Sequence, residues 1–314
     1  MKYISIAKES NRYKAIREAL ATLHGHFTPN VPKDLVVIKP NFVDVRYPLA
    51  CTHPAAVRAV VDHLRELGVR SIVVAEESSV GKTVEALQNF GYKEELKGYS
   101  WVELVAIESL SDTENPSIPV KIFKWDRTVQ EIVLNGYLVN APYLISVGPP
   151  KTHDTVIVTL ALKNIAMALP KGRNKGKVHQ GYGIININIA ILATHRMADL
   201  AVIDGTVAME EDGPVYGKPK EWGVVFASHS IVELDSFVTY LMGFAPTEIG
   251  YLYALYKMGY GDIYFRDIDV LGYTDLENVK TQFKPHREYS LMRRWLDTAY
   301  QDLLSKLTSK EFSE

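Results

Sequence analysis

Between positions 151 and 179, six basic residues face a single acid: Lys151, Lys163, Lys171, Arg173, Lys175 and Lys177 against Asp154. His153 and His179 bracket the stretch. Ammonium and guanidinium groups are the natural partners of phosphate and carboxylate. A neutral imidazole can move protons near neutral pH or ligate a metal. The combination reads as an anion-binding cleft with His153 and His179 as the candidate catalytic groups.

Lys163 stands inside an otherwise apolar run, VIVTLALKNIAMAL. Burying an unpaired ammonium is costly, so this lysine faces either solvent or a ligand pocket, where its pKa would fall. Asn164 follows it. An asparagine inside a helix weakens the helix unless its amide is used, so the Lys163-Asn164 pair says more than either residue alone. The loop at 170–177, PKGRNKGK, adds glycines that let backbone approach a ligand closely. Its bland alternative is a solvated basic loop. Lys39 and Asn41 follow an apolar run, and Thr52-His53-Pro54 opens a helix with Thr52 as the expected N-cap. Lys39, Asn41, Lys151, Lys163, Asn164, Lys171, Arg173, Lys175 and Lys177 are therefore the candidate ligand-binding residues.

The acidic counterpart is DGTVAMEEDG, beginning at Asp204. His179, Asp204 and Glu210 form a candidate set for a divalent cation. The alternative is a group of solvated carboxylates balancing the basic segment. His63, His195 and His229 read as packing or solvent-facing residues.

Elements that would position these side chains alternate along the chain. Residues 3–7, 34–38 and 71–75 read as strands, the last two as short, mostly apolar runs typical of buried parallel strands. Residues 12–24, 53–67 and 83–90 carry helical spacing. Strand and helix in alternation indicate a doubly wound α/β sheet, in which ligands sit beyond the C-terminal strand ends. Residues 120–123, 130–134, 143–147, 200–203 and 223–227 read as further strands. Residues 155–169, 231–242, 247–258 and 287–307 read as helices. The expected fold is α/β, a mostly parallel sheet flanked by helices in Rossmann-like layers, with a mixed-sheet second half. It is one domain over 1–314 with lobes at 1–115 and 116–314.

The chain has 314 residues, 47% of them hydrophobic, and a formal net charge of −2. That is enough apolar material for a full core, and the near-neutral charge argues against a general nucleic-acid or membrane surface. One cysteine, Cys51, allows no disulfide within the chain and no iron–sulfur cluster of its own. A reducing, cytoplasmic location fits. The first residues read as a strand rather than a signal peptide, and no apolar run reaches the roughly 18 residues of a membrane helix.

In order along the chain, VIKPNF (37–42), PPKTH (149–153), TLALKN (159–164), His179, VIDGTVAMEEDGP (202–214) and residues 234–244 resemble the domain of unknown function family numbered 362 (DUF362). More distantly, the pattern is similar to the N-terminal domain of the nickel-pincer lactate racemase family. That resemblance implies an acid/base role for His153, a hold on a nucleotide-derived cofactor for Lys163, and a metal-ligand role, with nickel, for His179. The racemase Gly-Gly before its lysine is Ala161-Leu162 here, and its Asp-His-Thr-Arg-Pro run is Lys39-Pro40-Asn41-Phe42, so the resemblance implies a shared fold with altered chemistry.

Two functional classes follow. The first is an enzyme acting on a small phosphate- or carboxylate-bearing ligand. The second is a non-catalytic metabolite- or cofactor-binding protein that needs the lysines but not the paired histidines. Nucleic-acid binding through the basic loop is disfavoured by the small number of aromatics within 151–179. The long charged C-terminal segment reads as a packing helix, or as a contact between copies in a homo-oligomer.

Overall fold

The fold comes from a computed structural model that describes residues 1–27, 30–296 and 298–308. Its strands are β1 (Lys2–Lys8), β2 (Val36–Lys39), β3 (Ile72–Glu76), β4 (Val102–Ala106), β5 (Ser117–Phe123), β6 (Val129–Asn135), β7 (Leu144–Gly148), β8 (Lys151–His153), β9 (Ile157–Thr159), β10 (Leu200–Glu210), β11 (Lys218–Ser228) and β12 (Ile268–Gly272). β5 and β6 pair as a separate antiparallel hairpin. The other ten form one sheet in the order β12-β1-β11-β10-β7-β2-β3-β4, with β8 against β10 and β9 against β8.

β2 and β3 are buried along their whole lengths because both faces of the sheet are covered. Side chains alternate between two cores, as the strand period of two requires. Val37 and Val73 point into one core, and Val36, Ile38, Ile72 and Val74 into the other. Helices Arg12–His26 and Pro54–Glu66 cover one face, and helices Ala161–Ala166, Gly181–His195 and Ile231–Leu241 the other. The sheet is parallel except for β11 and β9, so the fold is α/β with Rossmann-like layers and a mixed second half. It draws β1–β4 from the first 115 positions and its remaining strands from the rest. Among the described residues, no helix is long and apolar enough to cross a membrane.

The topology itself marks a place for ligands. From β2 the chain moves outward to β3 and β4, then returns to the opposite side of β2 with β7 and β10. Reversal of winding leaves a crevice at the C-terminal ends of β2 and β7. Those ends are Lys39 and Gly148.

Four local expectations change. The helix expected over 155–169 is instead β9 followed by a short helix, Ala161–Ala166. Val156, Ile157, Val158 and Thr159 are a β-branched run that favours a strand, and β9 pairs with β8. Residues 200–210 form one strand where only 200–203 were expected, so Asp204 and Glu210 lie within β10. Thr52 is not the N-cap of the following helix. His53 takes that place, its ring accepting from the Ala55 amide, while Thr52 is drawn inward. The long C-terminal helix is broken into Tyr289–Met292, a 3-10 turn at Arg293–Leu296, and Thr298–Thr308. The indole of Trp295 donates to the Glu248 carbonyl (2.6 Å) from this broken segment.

Candidate functional site

The Thr52 side chain first brings the strand ends together. The Thr52 hydroxyl accepts from the Asn41 amide (2.7 Å) and donates to the Val147 carbonyl (2.8 Å), stitching the end of β2 to the end of β7. The chain then runs through Pro149 and Pro150 into β8 and back through β9.

The helix carrying Lys163 and Asn164 is fixed by a residue from another element. Asp235, buried on helix Ile231–Leu241, accepts from the amides of Ala161 (3.1 Å) and Leu162 (2.8 Å), two donors with no partner inside the helix. Burial raises the Asp235 pKa to about 8 against the lowering effect of those two hydrogen bonds.

Amides then organise the charges. The Asn164 Oδ1 accepts from the Lys39 ammonium (2.6 Å) and from the Asn41 side-chain amide (3.0 Å). Its Nδ2 donates to the Ser146 hydroxyl (3.0 Å). Lys39 also pairs with Glu76 at 2.8 Å, and Glu76 accepts the Phe42 and Glu77 amides. Burial lowers the Lys39 pKa, and Glu76 holds it up. The amide demand that makes an asparagine awkward within a helix is thus met at Asn164.

A cavity of about 210 Å³ opens over this network. Lys39, Asn41, Glu76, Glu77, His153, Asp154, Thr159, Lys163, Asn164, Lys175 and His179 are among the residues that line it. Most of its charges are already answered. Lys39 has Glu76, and Lys175 donates to the Glu77 carbonyl with the Glu77 carboxylate 3.8 Å away. Glu77 is further held by Asn135 and by the Gly172 amide.

Lys163 is the exception. Its side chain is 8% exposed, and among the described residues its ammonium makes no hydrogen bond or ion pair. Burial brings its pKa down to about 8, with Asp154 opposing and Lys39 adding to the fall. The Thr159 hydroxyl, on the same wall, is buried without a hydrogen-bond partner. Two polar groups left unsatisfied beside one cavity are what a bound polar ligand would answer.

The two histidines present different faces. His153 is 4% exposed, and its Nδ1 lies 3.0 Å from both the Thr155 amide and the Asp154 carboxylate. Burial, then the Lys163 charge, lowers its pKa to about 3. The ring is therefore neutral at physiological pH. Accepting the Thr155 amide at Nδ1 leaves the proton on Nε2. His179 is exposed at the rim, its Nδ1 donating to the Lys175 carbonyl (3.2 Å), which leaves a lone pair on Nε2. Partial desolvation and Lys163 lower its pKa as well.

Other expected site residues are placed elsewhere. Lys151 is fully buried and is not among the residues lining the cavity. Its ammonium donates to the Asn41 Oδ1 and the Ala50 carbonyl, behind the cavity floor. Burial brings its pKa to about 7. Of the 170–177 loop, only Lys175 faces the cavity. Lys171 turns to Asp112 and the Asn115 carbonyl, and Arg173 and Lys177 are exposed away from the lining.

His179, Asp204 and Glu210 do not converge. Asp204 binds Arg12 and Thr206, and Glu210 accepts the Lys284 amide and pairs with Lys220. Among the described residues, no group of three or more His, Cys, Asp or Glu is arranged to hold a metal ion. Sequence reading missed Thr159 and Asp235. Thr159 was hidden in a run read as helix, and Asp235 in a mostly apolar helix where two acids, Glu233 and Asp235, were the signal.

The family model described as Domain of unknown function (DUF362) matches residues 36–240. The chain belongs to that family. Every residue lining the cavity lies within the matched span. The DUF362 chain is also similar to the Thylakoid-associated protein sll1697 of Synechocystis sp., with 24% identity over 257 residues, 78% of this chain and 74% of that one. Among solved structures, it is similar to the lactate racemase apoprotein from Thermoanaerobacterium thermosaccharolyticum. The TM-score is 0.40 and the identity 11%, over 76% of this chain. A structural-genomics protein from Thermotoga maritima gives a TM-score of 0.42 and 13% identity over 72% of this chain. The DUF362 chain spans 57% of the length of each of these two solved chains.

Proposed function

We propose that this DUF362 protein is an enzyme that binds a small phosphate- or carboxylate-bearing ligand in the cleft at the ends of β2 and β7. One observation carries the reading: the buried Lys163 ammonium has no partner among the described residues and faces the cavity beside an unpartnered Thr159 hydroxyl. An oxyanion there would take a charge-assisted hydrogen bond from Lys163 and a second from Thr159. His153 would donate from Nε2.

Proton transfer is best served by a group whose pKa lies near the working pH. Lys163, at about 8, meets that condition, whereas His153, at about 3, does not. Lys163 is therefore the favoured acid/base, with His153 as a neutral donor and His179 as a rim acceptor. Among the described residues, no cluster of three His, Cys, Asp or Glu would hold a metal by the chain alone. A cytoplasmic location remains part of this proposal, resting on the single buried Cys51.

Thermal denaturation with inorganic phosphate or acetate tests the binding step. A ligand that binds only the folded chain stabilises it by about 2.7 kcal/mol at a hundred times its Kd. The Tm is expected to rise with either anion, and Lys163→Ala is expected to remove the rise. No shift in the unaltered protein would overturn the reading.

The low pKa of His153 favours one alternative, a carrier that binds the same ligand without turning it over. Lys163→Arg, which keeps the cation but no group titrating near pH 8, would then leave both binding and biological output intact, whereas an enzyme keeps binding and loses turnover.

A further inference from the structure

The inner cavity, at about 210 Å³, is smaller than the roughly 300–1,000 Å³ of ordinary small-molecule sites. It has room for the anionic end of a ligand and little more. Asp154, Thr155 and Pro214 also form the wall of a second, outer chamber of about 560 Å³. The dividing loop is pinned in place. Gly213 approaches the Thr152 carbonyl so closely that a Cβ would lie 2.2 Å from it, and the Thr152 hydroxyl donates to the Glu211 carbonyl (2.9 Å).

The chemistry of the outer chamber differs from that of the inner one. Its arginine is answered internally: Asp212 accepts two hydrogen bonds from Arg287 (3.0 and 2.6 Å). Glu288 accepts from the Tyr182 hydroxyl, and Asp154 adds a second carboxylate. An anionic tail would find no open cation there. What remains available is aromatic surface. Tyr216 is 69% exposed and stands edge-on to Tyr47 with ring centroids 5.3 Å apart, and Tyr182 lines the same chamber. Exposed rings beside a cavity favour another ring, stacked or edge-on.

We propose that the natural ligand is bipartite, with an oxyanion seated at Lys163 and Thr159 and a ring-bearing tail without negative charge in the outer chamber against Tyr182 and Tyr216. This rests on the anion-binding reading above and adds the class of molecule, an anionic head joined through a short tether to a planar or ring-shaped group. Pro214 and Thr155 set the passage through which the tether runs.

Titration calorimetry with chemically simple probes separates the two levels. The set is inorganic phosphate, acetate, and ω-phenylalkyl phosphates and carboxylates with tethers of increasing length. Affinity is expected to exceed that of the bare anion by tenfold or more at an intermediate tether and to fall again beyond it. Tyr216→Ala and Tyr182→Ala are expected to return the best probe to the affinity of the bare anion without changing binding of the bare anion itself. Binding of phosphate or acetate with no gain at any tether would overturn the bipartite ligand and leave the anion site standing. A gain that survives both tyrosine substitutions would also overturn it, since the ring would then lie elsewhere. Failure of both bare anions to bind would remove the anion reading and this proposal together.

Discussion

The ammonium of Lys39 and the side-chain oxygen of Asn164, 125 positions apart in sequence, meet at 2.6 Å beneath the cavity. One comes from the end of a central strand and the other from a helix held by Asp235. Their contact lets Asn164 serve as the hub between Lys39, Asn41 and Ser146.

Removing the hub should cost stability as well as function. Asn164→Leu takes the partner of the Asn41 side-chain amide and one of two acceptors from Lys39, which keeps Glu76. At about 1–3 kcal/mol for an unsatisfied buried group, a loss near 2 kcal/mol is expected from urea unfolding. A loss below about 0.5 kcal/mol would mean that the network adds little.

Lys163 should have the opposite effect on stability. Its folded pKa of about 8 lies below the ordinary 10.5, so the unfolded chain holds the proton more tightly between those values. Stability from this group is therefore lowest below about pH 8 and rises toward pH 10.5, by roughly 3 kcal/mol in all. Lys163→Met is expected to raise stability at pH 7 by an amount of that order while abolishing the phosphate response. A variant that is less stable than the unaltered protein would show that the ammonium has a partner in solution.

Far from the cleft, His24, His63 and His229 form a linked row. The His24 Nδ1 lies 2.7 Å from the His63 Nε2, and the His24 Nε2 lies 3.2 Å from the His229 Nε2. Burial first, then the neighbouring rings, lowers His24 to about 3, and burial lowers His63 to about 4. Groups with depressed folded values contribute fully above the unfolded value of 6.5 and lose that contribution as pH falls toward 3–4. The Tm is expected to decline between pH 6.5 and 4, and His24→Leu to flatten the decline. An unchanged slope in the variant would assign the acid sensitivity to other groups, His153 among them.

Asp235 acts on the site through the helix it holds. Asp235→Ala leaves the Ala161 and Leu162 amides without their acceptor and should cost about 2 kcal/mol. Phosphate affinity should fall with it, since Lys163 loses its fixed position. Asp235→Asn keeps one acceptor and is expected to restore part of both. Equal phosphate affinity in the alanine variant, measured by calorimetry, would separate Asp235 from the site.

The alternating layers were legible because apolar runs such as VVIK at Val36–Lys39 and IVVAE at Ile72–Glu76 can only be buried parallel strands between helices. Lys39, Asn41, His153, Lys163, Asn164 and His179 could be named from residue type and position at strand ends. Less legible was the direction in which a side chain turns. Lys151 sits one strand-residue pair from His153, yet it points behind the floor because the Ala50 carbonyl and Asn41 await it there. The 155–169 region misled because its helix start depends on Asp235, more than 70 positions away. Asp204 looked like a strand end because an acid inside a buried strand needs a partner, and that partner is Arg12 on the first helix.

The most direct measurement is the titration of the Lys163 side chain by NMR, using carbon-labelled lysine and Lys163→Arg for assignment. In the free protein the midpoint is expected near pH 8, and saturating phosphate is expected to move it upward by at least a full unit as the anion stabilises the ammonium. A midpoint at the ordinary lysine value, or one that phosphate leaves unmoved, would contradict an anion site at Lys163.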